Sequence, residues 1–163
     1  MWQDPNGQSR PWEVVERTTR TGEIDAVCIV PIIKQRGRGD HVVLISQFRP
    51  ATESYCMEFP AGLVDANETT EQAALRELHE ECGYVGVVTH VSPIVHVDPG
   101  MCSACMRYVT VEVDLDHPDN QNPMPNLEDS EFIEVETVPV RRLRATLEEK
   151  MRQNWSIDAR LYG

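Results

Sequence analysis

The sequence predicts a mixed α/β (α+β) fold in which one mixed β-sheet is sandwiched between helices. Three observations carry that expectation. Apolar, β-branched runs of strand length recur along the chain, one sharply bounded helix interrupts them, and a second helical stripe follows the last of them. At 163 residues the chain has the length for one domain with a substantial core and not for two. Its 40% hydrophobic and 26% charged residues are ordinary globular composition, which argues against wholesale disorder.

The elements follow in order. WEVVERTTRT, 12–21, is rich in β-branched residues and alternates imperfectly, so it is read as an early strand. IDAVCIVPII, 24–33, and HVVLISQF, 41–48, flank the turn QRGRGD and are expected to pair as a hairpin of buried strands. VVTHVSPIVHV, 87–97, reads as a broken strand, MRYVTVEVDL, 106–115, as a strand with one buried face, and EFIEVETV, 131–138, as another. Thr69 and Gln72 have capping-box spacing and Gly83 supplies a left-handed stop, which bounds a helix from Thr70 to Cys82. A second helix is expected from about Pro139 to Asn154, with Val140, Leu143, Leu147 and Met151 on one stripe. The proline-rich, acidic stretch 116–131 is a long loop of the kind that often carries function.

Charge and cysteine usage narrow the function classes. A formal net charge of -12 argues against a nonspecific phosphate-backbone binder, which needs lysine and arginine to displace counterions. A polyanionic substrate would therefore have to be reached through metal ions. No apolar run approaches roughly 18 residues and the amino terminus lacks a charged-then-apolar pattern, so neither a membrane span nor a signal peptide is expected. Five cysteines, an odd number at scattered spacing, fit a reducing compartment, the cytoplasm first and the nucleus second. The opening MWQDPNGQSRPW starts in turn-forming residues and DARLYG stops on a helical pattern, so trimming at either end is compatible with the sequence.

The sharpest feature is the acidic end of the first helix, where Glu77, Glu80 and Glu81 fall within five residues. On a helical wheel they share an arc of about 100 degrees, while Leu75, Leu78 and Cys82 occupy another arc able to dock on the sheet. Like charges at this spacing repel. A solvated acidic face is the ordinary explanation. The alternative is that the carboxylates coordinate Mg²⁺ or Mn²⁺, hard cations that prefer oxygen ligands, and that the cation removes the repulsion.

The wider pattern favours the second explanation. Gly62, Glu68, Arg76, Glu77, Leu78, Glu80, Glu81 and Gly83 match, position by position, the motif Gly, five residues, Glu, seven residues, Arg-Glu, an apolar residue, any residue, Glu-Glu, any residue, Gly. This is the Nudix box, and through it the chain resembles the Nudix hydrolases; Tyr84, where the family usually has an aliphatic residue, is the one departure. The resemblance implies the Nudix fold, with Glu77, Glu80 and Glu81 as metal ligands, Glu81 the most critical, and the Ala61 carbonyl as a further ligand. It implies two or three Mg²⁺ ions, with Mn²⁺ as a substitute, and structural roles for Gly62, Glu68, Arg76 and Gly83. The chemistry agrees, since hydrolysis of a diphosphate needs cations to neutralise oxygens, position water and lower its pKa.

Outside the box, RPWEVVERTTR, QFRP, YCMEFPAGLVD and HVDPGMCSAC resemble animal-type ADP-sugar pyrophosphatases, which cleave ADP-ribose to AMP and ribose 5-phosphate. That resemblance runs from about Asp4 to Tyr162 and is weak over 116–130. It implies that Trp12 stacks on adenine, Glu13 accepts from the adenine edge, and Arg17, Arg49, Leu63 and Asp98 contact substrate. Trp12 would otherwise cover the core edge, Arg17 and Arg49 would make surface ion pairs, and Asp98 would serve only the Asp-Pro-Gly turn. The family's second stacking tryptophan would lie upstream of residue 1, near Trp2 but not at it.

Glu131 matches a mobile-loop glutamate proposed in the family as the base, with a helix glutamate as the alternative and Glu128 and Asp129 as neighbours that would substitute in a shifted register. The resemblance divides the chain into a strand region, 1–23, exchanged between two subunits as an antiparallel sheet, and a Nudix domain, 24–163. A homodimer with a nucleoside diphosphate sugar as substrate is therefore expected, with no membrane or nucleic-acid partner. UDP-sugars and oxidised guanine nucleotides are the alternative substrates. A non-catalytic nucleotide-binding module, which typically loses box glutamates, is the remaining reading. Cys102 and Cys105 have CxxC spacing without a second such pair, a weak zinc signal, and Arg141, Arg142 and Arg144 form a short basic run.

Overall fold

In the computed structural model, residues 1–34 and 39–162 are described; positions 35–38 of the expected QRGRGD turn lie outside them. The expected hairpin is β3 (Ala26–Ile33) and β4 (His41–Arg49), antiparallel with Ile32 opposite Val42 and Ile33 opposite His41. β4 continues into an antiparallel pairing with β5 (Ser54–Glu58), and β10 (Glu134–Pro139) lies along its other side. β3 carries β6 (Ala61–Leu63) antiparallel and β9 (Cys105–Val113) parallel, and β9 is flanked by the broken strand β7 (Val87–Val91) and β8 (Val95–His96). The sheet is mixed, as expected.

Helix α1 (Thr70–Cys82) has the bounds read from the sequence. Thr69 and Gln72 close a capping box, and Gly83, at φ 74°, donates its N–H to the carbonyl of His79. The helix buries Ala73, Ala74, Leu78 and Cys82 against Val27, Ile29, Val43, Ile45 and the inward face of β9. Tyr84, the departure from the box, packs into this same cluster. On the opposite face, Val42, Leu44, Met57 and Val138 meet Leu147 of α2 (Leu143–Arg152) and Leu161 of α3 (Ala159–Tyr162). Helices therefore cover both faces of the sheet.

Three expectations are corrected. Residues 12–21 form no strand beyond a single bridge between Val15 and Cys102: their β-branched side chains face water, and among the described residues no further strand pairs with them. Ahead of them, inside the region 1–23, β1 (Trp2–Gln3) pairs antiparallel with β2 (Ser9–Arg10), closed by a turn in which Asp4 Oδ1 accepts from the N–H groups of Asn6 and Gln8. The second helix begins later than Pro139, which still belongs to β10; Val140–Arg142 form a 3₁₀ turn before α2. Of its predicted stripe only Leu147 is fully buried, while Val140 and Met151 are 44% and 51% exposed at its two ends. A short β11 (Ser156–Ile157) then pairs parallel with β5, an element with too few residues to leave a periodic signal.

The long acidic loop is anchored at two points. Asn120, 3% exposed, accepts from the Val85 N–H at 2.8 Å and donates to the carbonyls of Val85 and Asp114. Further on, the Asn126 N–H donates to the Glu80 carbonyl at 2.8 Å, which brings the loop across the carboxy-terminal end of α1.

Candidate active site

The acidic end of α1 opens on a cleft of about 550 Å³ walled by three segments. Ala61, Gly62 and Leu63 come from β6, Arg76, Glu77 and Glu80 from α1, and Asn126, Leu127, Glu128 and Glu131 from the anchored loop. β6 meets the helix closely here. A Cβ on Gly62 would come within 1.9 Å of the Glu77 carboxyl, so glycine is required to leave space for that carboxylate.

Each carboxylate has a different environment. Glu81 is 4% exposed and accepts the Ala61 N–H at 2.9 Å; burial, against that hydrogen bond and with the nearby charges of Glu77 and Glu131, pushes its carboxyl up to about 8. Glu77 is also raised, chiefly by burial, although Arg76 opposes the shift. Arg76 organises the rest. It forms a fork on Glu68, Nε and Nη2 both at 2.9 Å, and its Nη1 donates to Glu77 at 2.8 Å and to Glu80 at 2.9 Å. The remaining Nη2 contact, to the Leu63 carbonyl at 3.0 Å, ties the helix to β6. Glu68 in turn accepts the Asp65 N–H at 3.1 Å, which holds the loop before the helix.

Arg76 brings one positive charge to three glutamates, Glu68, Glu77 and Glu80, so the cluster keeps a negative excess even with the buried Glu81, whose carboxyl is pushed up to about 8, left out of the count. A donor set of carboxylate oxygens beside a backbone strand suits a hard divalent cation. Among the described residues, however, no three such side chains converge into a ready-made metal cage. The reason is visible in their bonds: Glu77 and Glu80 are turned to Arg76, and Glu81 to Ala61. A cation would be held after these side chains exchange protein donors for it.

The Nudix domain profile matches residues 22–158. The chain belongs to the Nudix family. This Nudix hydrolase is 44% identical to an ADP-ribose pyrophosphatase of Saccharomyces cerevisiae over 163 residues, 99% of this chain and 71% of that one. It is 42% identical to an ADP-sugar pyrophosphatase of Mus musculus over 164 residues, 99% of this chain and 75% of the mouse protein. A crystal structure of an ADP compounds hydrolase superposes with a TM-score of 0.64 at 28% identity, covering 88% of this chain and 70% of that one. Nudix hydrolases generally act with divalent metal ions, and the acidic cleft has the donor chemistry for one.

Of the residues singled out from the Nudix hydrolase sequence, Ala61, Gly62, Leu63, Arg76, Glu77, Glu80, Glu128 and Glu131 line the cleft, and Glu81 lies buried beside Ala61. Glu131 is held through its Oε2, which accepts the Glu128 N–H at 2.9 Å. The rest stand away from the lining. Trp12 is 61% exposed, donates its indole N–H to the Gly100 carbonyl at 3.1 Å, and meets Trp2 edge to face at 6.3 Å. Asp98 lies in that same turn, its carbonyl accepting from Met101 and Cys102, and Glu13 and Arg17 are exposed on the arm before β3. Arg49 is paired with Glu58. Sequence reasoning missed Asp65, Asn126 and Leu127 in the cleft and Glu58 behind Arg49, since none belongs to the box and their proximity arises from loop and strand packing.

Among the described residues no helix is long and apolar enough to cross a membrane. All five cysteines are free, Cys102 and Cys105 included, and among the described residues no metal-binding group forms around that pair.

Proposed function

We propose that this Nudix hydrolase cleaves the diphosphate of ADP-ribose and related ADP-sugars, giving AMP and a sugar phosphate, with Mg²⁺ as its cation and Mn²⁺ as a substitute. The observation that carries this reading is the concentration of incompletely neutralised carboxylates at one cleft, in a chain related over nearly its full length to proteins named for these substrates. Glu77, Glu80, Glu81 and the Ala61 backbone would hold two or three ions, whose charge would neutralise phosphate oxygens and acidify the attacking water. Arg76 restrains the carboxylates before the ions arrive, and Gly62 keeps the space into which Glu77 fits. Glu131 accepts the proton of the attacking water as its oxygen bonds to phosphorus and the bridging P–O bond breaks, the leaving phosphate carrying off the electron pair.

The arm supports a homodimer. Trp12, Val14 and Val15 are each more than half exposed, and Met1, Trp2, Trp12 and Val14 surround an apolar hollow of about 470 Å³. An arm that buries so little against its own domain gains by docking on a second copy. There Trp12, Glu13 and Arg17 of residues 1–23 would reach the partner's cleft, stacking on adenine, accepting from its edge and holding phosphate, while Arg49, Leu63 and Asp98 contact substrate from domain 24–163. The cytoplasm, with the nucleus second, fits five free cysteines.

The substrate assignment is tested by kcat/KM in Mg²⁺ for ADP-ribose, a UDP-sugar and an oxidised guanine nucleotide. ADP-ribose is expected to be the best substrate. A higher value for either competitor would overturn the assignment while leaving the reaction class in place.

A further inference from the structure

Glu58 is the last residue of β5 and is 2% exposed, a burial that costs a carboxylate several kcal/mol unless it is fully paired. Its pairing is specific. Arg49 Nε donates to Oε1 at 2.6 Å and Nη2 to Oε2 at 2.6 Å, two parallel hydrogen bonds along one edge of the guanidinium. Strand register produces the contact: Ile45 stands opposite Glu58, and Arg49, four residues further along β4, projects from the same face and reaches back.

The two partners differ sharply in exposure, 45% for the Arg49 side chain against 2% for that of Glu58. Arg49 Nη1 makes no hydrogen bond among the described residues. One edge of the guanidinium is thus sealed by a buried anion and the other is offered outward, still able to make two hydrogen bonds. Arg160 braces Glu58 from the carboxy-terminal segment, its Nη2 3.9 Å from Oε2, and is itself held by Asp158, whose N–H donates to the Met57 carbonyl at 3.0 Å. Three residues beyond Glu58 the chain reaches Ala61 and the cleft. Whatever the pair adds to stability, the fork on a buried carboxylate fixes the direction in which the exposed edge of Arg49 points.

We propose that Glu58 is a positioning residue, locking Arg49 by its inner edge so that the outer edge meets the diphosphate of the substrate already aligned. The inference rests on the reading of Arg49 as a substrate contact. Prior alignment removes ordering cost from binding, so its loss is felt in KM. The test compares KM and kcat for ADP-ribose in Mg²⁺ for Glu58→Gln, Arg49→Ala, Arg49→Lys and the Glu58→Gln/Arg49→Ala double variant. Glu58→Gln is expected to raise KM by roughly tenfold with kcat little changed, and Arg49→Ala by at least as much. In the Arg49→Ala background, Glu58→Gln should add nothing. Additive effects, or a normal KM in folded Glu58→Gln beside a raised one in Arg49→Ala, would overturn the positioning role alone. A normal KM in Arg49→Ala would sink the reading of Arg49 itself. If Glu58→Gln does not fold, Arg49→Lys decides. Lysine keeps the charge without the two-edged fork, so a KM like that of Arg49→Ala supports the proposal and a normal KM refutes it.

Discussion

Glu81 illustrates a conflict between folding and function at the residue scale. Its carboxylate is buried beside other acids and supported by one backbone N–H, an arrangement unfavourable to the charge until a cation arrives. Replacing it with glutamine keeps the shape and removes the charge. Glu81→Gln is therefore expected to lose at least about a hundredfold in turnover while the melting temperature of the metal-free protein stays level or rises, as read by initial rates and thermal melts. Asp25 shows the opposite balance. It is 4% exposed, forked by Arg20 at 2.9 and 2.6 Å and joined by the Cys105 N–H at 2.8 Å, and the Arg20 hydrogen bonds, against the cost of burial, hold its carboxyl below the usual range. Because its folded pKa is depressed, the stability it contributes is complete above the unfolded carboxylate pKa and is lost as pH falls through the folded value. Asp25→Asn should cost about 2–4 kcal/mol at neutral pH, with a shallower loss of stability on acidification than the native protein in denaturant melts at several pH values.

At the scale of elements, the site depends on how closely β6 and the anchored loop approach α1. Gly62→Ala places a methyl group where the Glu77 carboxylate lies, and that flexible carboxylate must move. The fold should survive with little change in melting temperature, while activity falls by roughly tenfold or more and more Mg²⁺ is needed for half-maximal rate. Asn120→Ala removes three hydrogen bonds that fasten the acidic loop to Val85 and Asp114, and is expected to cost about 2–3 kcal/mol in a denaturant melt. Helix α1 was legible in the sequence because its signals are local: Thr69, Gln72 and Gly83 fix the ends, and the glutamates share one face. The arm at 12–21 departs from its expected strand because β-branched composition reports a preference for sheet, while among the described residues its pairing is limited to the Val15–Cys102 bridge. The Arg49–Glu58 pair was invisible because cross-strand register, not spacing, brings the two side chains together.

The whole molecule joins a mixed sheet with helices on both faces to an exposed amino-terminal arm, and the proposed dimer is tested at this scale. A dimer predicts a solution mass of about twice 18.5 kDa by light scattering, and Trp12→Ala should raise KM for ADP-ribose without unfolding the domain. An 18.5 kDa particle would remove the partner's cleft as the destination of Trp12. At this scale the net charge of -12 has its clearest consequence, since an acidic protein can reach a diphosphate only through cations gathered at its cleft. The most direct measurement is the product mixture after incubating the protein with ADP-ribose and Mg²⁺, beside a parallel reaction containing excess EDTA, resolved by chromatography. AMP and ribose 5-phosphate are expected with Mg²⁺ and absent with EDTA; equal cleavage in both reactions, or none from folded protein with Mg²⁺, would contradict the account.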